Sequence, residues 1–223
     1  MRILVYGDSN SWGFLDDGAG LRFANRWPVT MAETLAAHKG SPVALIEECL
    51  PGRTTAYPDP QEGPEYNGLP YLKPALLSHA PLDVVLVMLG TNDVKARFKA
   101  SAEDIANNLI SLAKIIRRAP VGHGKWREAP PPSVVLISPA NLGNRTNDAK
   151  WMRAQEWQGG LEKMSALPAL LSHKIADLRD NDVHFIDAND AVEPSMRDPI
   201  HWAEACHIKM GQMMADRLAS LGV

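Results

Sequence analysis

Cysteine is scarce in this chain, with only Cys49 and Cys206 among 223 residues. Two thiols are too few for a disulfide framework, and their spacing is not that of metal ligands. Both are therefore predicted to be ordinary thiols rather than metal ligands.

A large charge of one sign is also absent. The chain has 23 Lys and Arg against 26 Asp and Glu, which gives a formal net charge of -3. The basic residues are scattered along the chain rather than gathered into a stripe, so no surface that attracts a polyanion is expected. A nucleic-acid partner is not predicted.

Long apolar runs are missing too. No run approaches the roughly 20 residues that a helix needs to cross a bilayer. The chain enters its first strand without a charged and then apolar leader. We therefore expect no membrane association and, by default, a cytoplasmic location.

What the sequence does contain is a regular alternation of strand and helix patterns. Short apolar, β-branched runs typical of buried strands occur at 2–6, 43–47, 83–89, 133–138 and 183–187. Helical spacing occurs at 27–38, 69–79, 102–118, 161–179 and 203–221. Ser101 and Asp104 are placed as a capping box at the start of the third helix.

These patterns favour one α/β domain over residues 1–223. With 45% hydrophobic residues, the chain is long enough to bury a full core. Connections of helix length between successive strands predict a parallel sheet that is covered on both faces.

Three long loops separate these elements. The loops at 51–68 and 139–157 follow strands, so they begin at the same sheet edge as the GDSNSWG turn at 7–13. The loop at 120–133 precedes a strand and begins at the opposite edge. The first two are therefore expected near a functional site, with the 139–157 loop as either a lid or a subunit interface. The third is expected to be a surface or subunit-contact loop.

Ser9 lies in the GDSNSWG turn, immediately after the first strand. A tight turn at the carboxyl end of a parallel strand can present a hydroxyl as a nucleophile, with backbone N–H groups close by. The turn alone also fits a serine that simply caps the next helix. A serine nucleophile further needs a base.

His201 is the best candidate for that base among seven histidines. Asp198 lies three residues before it on a turn that contains Pro199, so its carboxylate can reach back to the imidazole. The rival is His207, which lies within the last predicted helix. A histidine at a helix start can also be a cap or a surface residue.

Donors for an oxyanion come from two other strand exits. Gly52 permits close approach of its backbone N–H, and Asn92 in the GTND segment offers a side-chain amide. Alone, GTND also fits a turn that bonds its own backbone, and Gly52 fits an ordinary loop glycine. Arg53 and Asp93, which follow these two residues, are interpreted as a structural ion pair or, for Arg53, as an anion-binding group.

Together, GDS, Gly52, GTND and DPIH occur in the order that is typical of the SGNH hydrolases, the GDSL-type esterases and lipases, and the chain resembles that family. The resemblance implies a flavodoxin-like three-layer α/β/α fold with a five-stranded parallel sheet. It also implies a Ser9, His201 and Asp198 triad, and an oxyanion hole formed by the Ser9 amide, Gly52 and Asn92. The first block reads GDSNS rather than GDSL, which changes the polarity beside the nucleophile and not the nucleophile itself.

The LPGRTT, NGLPYLKP and MLGTNDVKARF segments further resemble the arylesterase and acyltransferase branch of that family. That branch implies hydrolysis of short esters without a cofactor, acyl transfer as a further activity, and a homo-oligomer. A carbohydrate O-acetyl esterase is the main alternative. Two weaker alternatives are a non-catalytic carbohydrate-binding protein and a phosphotransfer protein with Asp8 as its nucleophile.

Four residues are predicted to contact a small ester or acetylated sugar. Asp8 and Asn10 flank Ser9, while Trp12 and Trp202 adjoin the turn and the proposed base. The tryptophans could wall a pocket of acetyl size or stack on a sugar or aryl alcohol. They could instead be core or interface residues.

Overall fold

The chain forms five strands, six α-helices and four short 3-10 helices in a computed structural model that describes residues 1–222. Strands β1 to β5 span Arg2–Gly7, Ala44–Cys49, Val84–Met88, Ser133–Ser138 and Val183–Asp187. Helices α1 to α6 span Ser9–Trp12, Trp27–Lys39, Gly68–His79, Ala102–Ile116, Gly160–Leu178 and Glu204–Leu221. The predicted strands and long helices are confirmed, with ends that shift by at most two residues.

The strands form one parallel sheet in the order β2-β1-β3-β4-β5. Parallel strands bring their carboxyl ends to a common edge. Gly7 at the end of β1 pairs with Met88 at the end of β3. The segments that follow these two strands, which carry Ser9 and Asn92, therefore start side by side.

Alternate residues of the strands pack against helices on the two faces of the sheet. Ile3, Val5 and Leu86 contact the layer that contains α2 and α6. Leu4 and Val87, on the opposite face, contact the layer that contains α3, α4 and α5. The result is the expected three-layer α/β/α arrangement.

Residues close in sequence determine where two of the helices begin or end. Ser101 Oγ accepts a hydrogen bond from the Asp104 amide at 3.1 Å, and Asp104 accepts one from the Ser101 amide at 2.9 Å. The predicted capping box is thus present. Helix α5 ends at Leu178, one residue before the predicted end, because Arg179 adopts a left-handed conformation with φ 53°.

Helices α2 and α6 approach each other closely at Gly211. A Cβ atom at this position would lie 2.6 Å from the Thr30 Cβ and 2.8 Å from the Trp27 carbonyl oxygen. No side chain fits at these distances, so glycine sets the spacing between the two helices. Because α6 follows His201, this contact also supports the segment that carries the histidine.

Replacing Gly211 by alanine is therefore expected to destabilise the fold. Alanine favours an isolated helix by about 1 kcal/mol, but overpacking typically costs 1–3 kcal/mol, about as much or more. We expect Gly211→Ala to lower the free energy of unfolding in urea, while Gln212→Ala on the exposed side of α6 leaves it nearly unchanged. Equal stability of the two variants would contradict the close packing described.

Candidate active site

Ser9 is the first residue of the one-turn helix α1. Asp8 caps this helix, because its carboxylate accepts a hydrogen bond from the Asn10 amide at 3.0 Å. Ser9 is only 5% exposed. Its Oγ lies 3.1 Å from Nε2 of His201, so the hydroxyl and the imidazole are within hydrogen-bond distance.

Asp198 holds the other side of the His201 ring. Nδ1 of His201 lies 2.6 Å from Oδ2 of Asp198, and Oδ1 of Asp198 accepts a hydrogen bond from the Ile200 amide at 2.8 Å. Burial raises the pKa of Asp198, but hydrogen bonding to His201 and its charge outweigh burial and hold the pKa below its usual value. Asp198 is therefore a carboxylate that fixes the orientation of the imidazole.

Two further contacts fix the position of His201 relative to Ser9. Nδ2 of Asn10 donates a hydrogen bond to the carbonyl oxygen of Ile200 at 3.2 Å. The ring of Phe14 stacks on the His201 ring, with centroids 4.7 Å apart. The turn after β1 thus holds the segment that precedes α6.

Gly52 and Asn92 lie beside this group. Gly52 has φ 91°, and a Cβ atom there would lie 2.9 Å from the Tyr66 ring, so only glycine fits without strain. The side-chain amide of Asn92 donates to the carbonyl oxygen of Arg53 at 3.1 Å, which leaves the second N–H of that amide for another acceptor. Ser9, Gly52 and Asn92 border one cleft.

The cleft has a volume of about 320 Å³. Its lining comes from the turn after β1, the segments after β2 and β3, the 139–157 loop and the segment before α6. The lining residues are Ser9, Phe14, Pro51, Gly52, Glu62, Tyr66, Asn92, Lys95, Arg153, Trp157, Ile200 and His201. Loops 51–68 and 139–157 thus border the cleft as predicted, and loop 120–133 contributes no lining residue.

A model of the GDSL-like lipase/acylhydrolase family matches residues 5–207 of the chain. The chain belongs to this family. It is accordingly a carboxylic ester hydrolase.

Solved structures of esterases align with this GDSL-like hydrolase over nearly its whole length. Est24, a carbohydrate acetylesterase from Sinorhizobium meliloti, is 32% identical with a TM-score of 0.87. The aryl esterase of M. smegmatis is 35% identical with a TM-score of 0.86, and a putative arylesterase from Agrobacterium tumefaciens is 31% identical with a TM-score of 0.81. Each alignment covers 99% of both chains. A search of curated proteins gave no match.

The four residues predicted to contact substrate are not among those that line the cleft of this GDSL-like hydrolase. Asp8 and Asn10 are buried and hold the first turn of α1, and burial raises the pKa of Asp8 to about 6. Trp202 is 1% exposed and packs in the core layer with α2 and α6. The Trp12 ring lies under the Arg22 guanidinium, 5.2 Å away. None of the four borders the cleft described above.

Aromatic and charged residues outside that predicted set form part of its walls. They are Phe14, Glu62, Tyr66, Lys95, Arg153 and Trp157. Lys95 is only three residues beyond Asn92, and this proximity to the GTND motif is the sequence feature that could have placed it at the cleft. The contribution of Tyr66 and Trp157 depends on the path of two long loops, which spacing alone does not give.

Asp93 ties the two segments of the cleft that carry Gly52 and Asn92. Both of its carboxylate oxygens lie 3.0 Å from the Thr55 amide, and the Thr55 hydroxyl also donates to Asp93. Burial raises the pKa of Asp93 to about 7 against these hydrogen bonds. The expected Arg53 to Asp93 pair is wrong, because the Arg53 guanidinium lies over the Tyr6 ring and donates to the carbonyl of Gly7.

The phosphotransfer alternative finds no support in the site. Asp8 is fully buried as a helix cap. Within residues 1–222, no three His, Cys, Asp or Glu side chains are grouped to hold a metal ion.

The same part of the chain has no helix that is both long and apolar enough to cross a membrane.

His207, the rival base, is a core residue. Its Nδ1 accepts a hydrogen bond from the Trp27 amide at 3.4 Å, and its ring contacts the rings of Phe23 and Trp202. Burial, with smaller contributions from the charges of His201 and Arg26, lowers the pKa of His207 to about 3. A neutral, enclosed imidazole of this kind serves packing.

His207 should make the fold sensitive to acid. In the unfolded chain it takes up a proton near pH 6.5, whereas in the folded protein it does so only near pH 3. The stability that neutral His207 contributes is therefore present above about pH 6.5 and is lost as the pH drops toward 3, by about 3 kcal/mol between pH 7 and pH 4.

His207→Gln should remove that part of the pH dependence, as measured by urea unfolding at these two pH values. His173→Gln, an exposed change on α5, should keep the wild-type dependence. Identical pH dependence of wild type and His207→Gln would contradict the assignment.

Proposed function

We propose that this protein hydrolyses short-chain carboxylic esters through a covalent acyl group on Ser9. The observation that carries the proposal is the chain of contacts from Asp198 through His201 to Ser9, at 2.6 Å and 3.1 Å. These distances are those of a base that contacts a hydroxyl and is itself held by a carboxylate.

In the first half of the reaction, Nε2 of His201 takes the proton of Ser9 Oγ as that oxygen bonds to the ester carbonyl carbon. The carbonyl oxygen becomes an oxyanion. The amides of Ser9 and Gly52 and the side-chain N–H of Asn92 would donate hydrogen bonds to it. His201 then gives its proton to the departing alcohol as the carbon–oxygen bond to that alcohol breaks.

In the second half, a water molecule gives a proton to His201 and attacks the acyl group. The carbon–oxygen bond to Ser9 breaks, Ser9 regains the proton, and the carboxylic acid leaves. An alcohol in place of water would give a new ester by the same steps, which is acyl transfer. Throughout, Asp198 stabilises the imidazolium that His201 becomes.

The dimensions of the cleft support small substrates. Its volume of about 320 Å³ is at the lower end of the range for small-molecule sites, about 300–1,000 Å³. Phe14, Tyr66 and Trp157 wall it with rigid rings, and Trp157 is 1% exposed. Acyl groups of acetyl size fit such a space better than long chains.

Hydrolysis of p-nitrophenyl acetate, butyrate and octanoate by the purified protein tests this function. We expect kcat/KM to be highest for acetate and to fall sharply by octanoate, because the ring walls limit the acyl chain. Ser9→Ala should abolish hydrolysis of all three, while Ser11→Ala, a change two residues away, should retain it. Octanoate as the best substrate, or full activity of Ser9→Ala, would refute the proposal.

Asp198→Asn should slow the chemistry without unfolding the protein. The amide oxygen can still accept from the Ile200 N–H, but it cannot stabilise the imidazolium or hold the required tautomer. We expect kcat to fall by about 10³ to 10⁴ with little change in urea unfolding. The exposed control Asp190→Asn should keep wild-type kcat, and an unchanged kcat in Asp198→Asn would show that His201 acts without it.

A carbohydrate O-acetyl esterase is the second candidate. It is supported by the similarity to Est24, which is a carbohydrate acetylesterase. The same Ser9 chemistry would release acetate from a sugar hydroxyl. Acetate release from acetylated xylose and from phenyl acetate distinguishes the two, since a much higher kcat/KM on the sugar would favour the deacetylase.

A further inference from the structure

Lys95 is a buried cation in the wall of the cleft. It lies three residues after Asn92, is 5% exposed, and borders the same space as Ser9 and His201. Its Nζ is 5.5 Å from the centre of the Trp157 ring. The proposed ester hydrolysis assigns no role to this ammonium group.

The nearest carboxylate is shared among three cations. Glu156 binds Arg97 through Oε1 at 2.9 Å and Arg153 through Oε2 at 2.9 Å. Lys95 Nζ lies 3.7 Å from the same Oε1, beyond hydrogen-bond distance. Asp59 adds one more carboxylate, but it pairs with Arg97 at 2.7 Å.

Lys95, Arg97 and Arg153 share only two carboxylates, so the negative charge near Lys95 does not balance the positive charge of the group. Burial lowers the pKa of Lys95, and the neighbouring charges of Arg97 and Arg153 lower it further, more than Glu156 restores. Among residues 1–222 its Nζ makes an ion pair but no hydrogen bond. An acceptor inside the cleft would meet a desolvated donor, where charge-assisted hydrogen bonds are strong.

We propose that the cleft binds esters that carry an anionic group, and that Lys95 is the residue that recognises it. Arg153 also borders the cleft and adds positive charge. The one acid in the lining, Glu62, is exposed, so solvent screens its repulsion. This inference rests on the proposed function of Ser9 and names a substrate class for it.

Two pairs of matched esters test the proposal and locate the anion. Monoethyl malonate and ethyl malonamate differ on the acyl side of the ester, where the first carries a carboxylate and the second a neutral amide. Para-acetoxybenzoate and para-acetoxybenzamide differ in the same way on the alcohol side. We expect a higher kcat/KM for the anion in one pair, and this preference should shrink as NaCl rises from about 0.05 to about 0.5 M.

Substitutions identify the residue. Lys95→Met should lower the ratio of anionic to neutral kcat/KM by about ten-fold or more, whereas Lys125→Met in the exposed 120–133 loop should leave that ratio unchanged. If Lys95→Met does not fold, Glu156→Gln serves instead. Removing that competing carboxylate should raise the ratio. Equal ratios in wild type, Lys95→Met and Glu156→Gln for both ester pairs would overturn the proposal.

Binding separates this inference from the proposed function. Ser9→Ala should bind the preferred anionic ester in calorimetry, and adding Lys95→Met should weaken that binding about ten-fold. Ser9-dependent hydrolysis with no effect of Lys95 on selectivity overturns the anion site alone. Lys95-dependent binding without Ser9-dependent hydrolysis overturns the esterase function alone. If neither Lys95-dependent binding nor Ser9-dependent hydrolysis is observed, both proposals are overturned.

Discussion

The hydrogen bond from Asn10 to the carbonyl of Ile200 joins the two ends of the chain at the site. Ser9 and His201 are 192 residues apart in sequence, so no local structure can set the 3.1 Å between them. The hydrogen bond between Asn10 and Ile200 sets this distance, because Asn10 directly follows Ser9 and Ile200 directly precedes His201. The stack of Phe14 on His201 adds a second contact between the same two segments.

The parallel sheet makes that join possible. Because β1 and β3 are neighbours in the order β2-β1-β3-β4-β5, the segments that follow them begin at one edge. Asp93 and Thr55 then tie the segment after β3 to the segment after β2. Close packing of α6 on α2 at Gly211 supports the histidine end. The cleft is thus surrounded by elements whose positions are set by packing and buried hydrogen bonds.

Much of this architecture follows from local patterns in the sequence. Strands β1 to β5 show as apolar runs, and the Ser101 capping box marks the start of α4, because these signals act within a few residues. Asp198 and His201 are identifiable as a pair for the same reason: a three-residue spacing on a turn is enough to bring a carboxylate to an imidazole.

The cleft walls could not be predicted in this way. Trp202 and Trp157 are equally aromatic and equally buried, at 1% exposure each, yet only Trp157 borders the cleft. The difference lies in the path of loop 139–157, which reaches the segment after β3, where the Ala96 amide donates to the Glu156 carbonyl oxygen at 2.7 Å. Arg53 likewise stacks on Tyr6 instead of pairing with Asp93, because Thr55 already occupies that carboxylate. Which partner such a side chain contacts depends on the residues that the whole fold brings near it, and local sequence does not reveal them.

The most direct test of the account is covalent labelling with a fluorophosphonate, followed by peptide mass spectrometry. The phosphonyl group forms a bond to an activated serine oxygen with loss of fluoride, so it reports the nucleophile rather than the substrate. We predict one modified residue, Ser9, and a labelling rate that falls sharply in His201→Ala. Labelling at another serine, or an unmodified Ser9 in folded protein, would contradict the central claim that His201 activates Ser9.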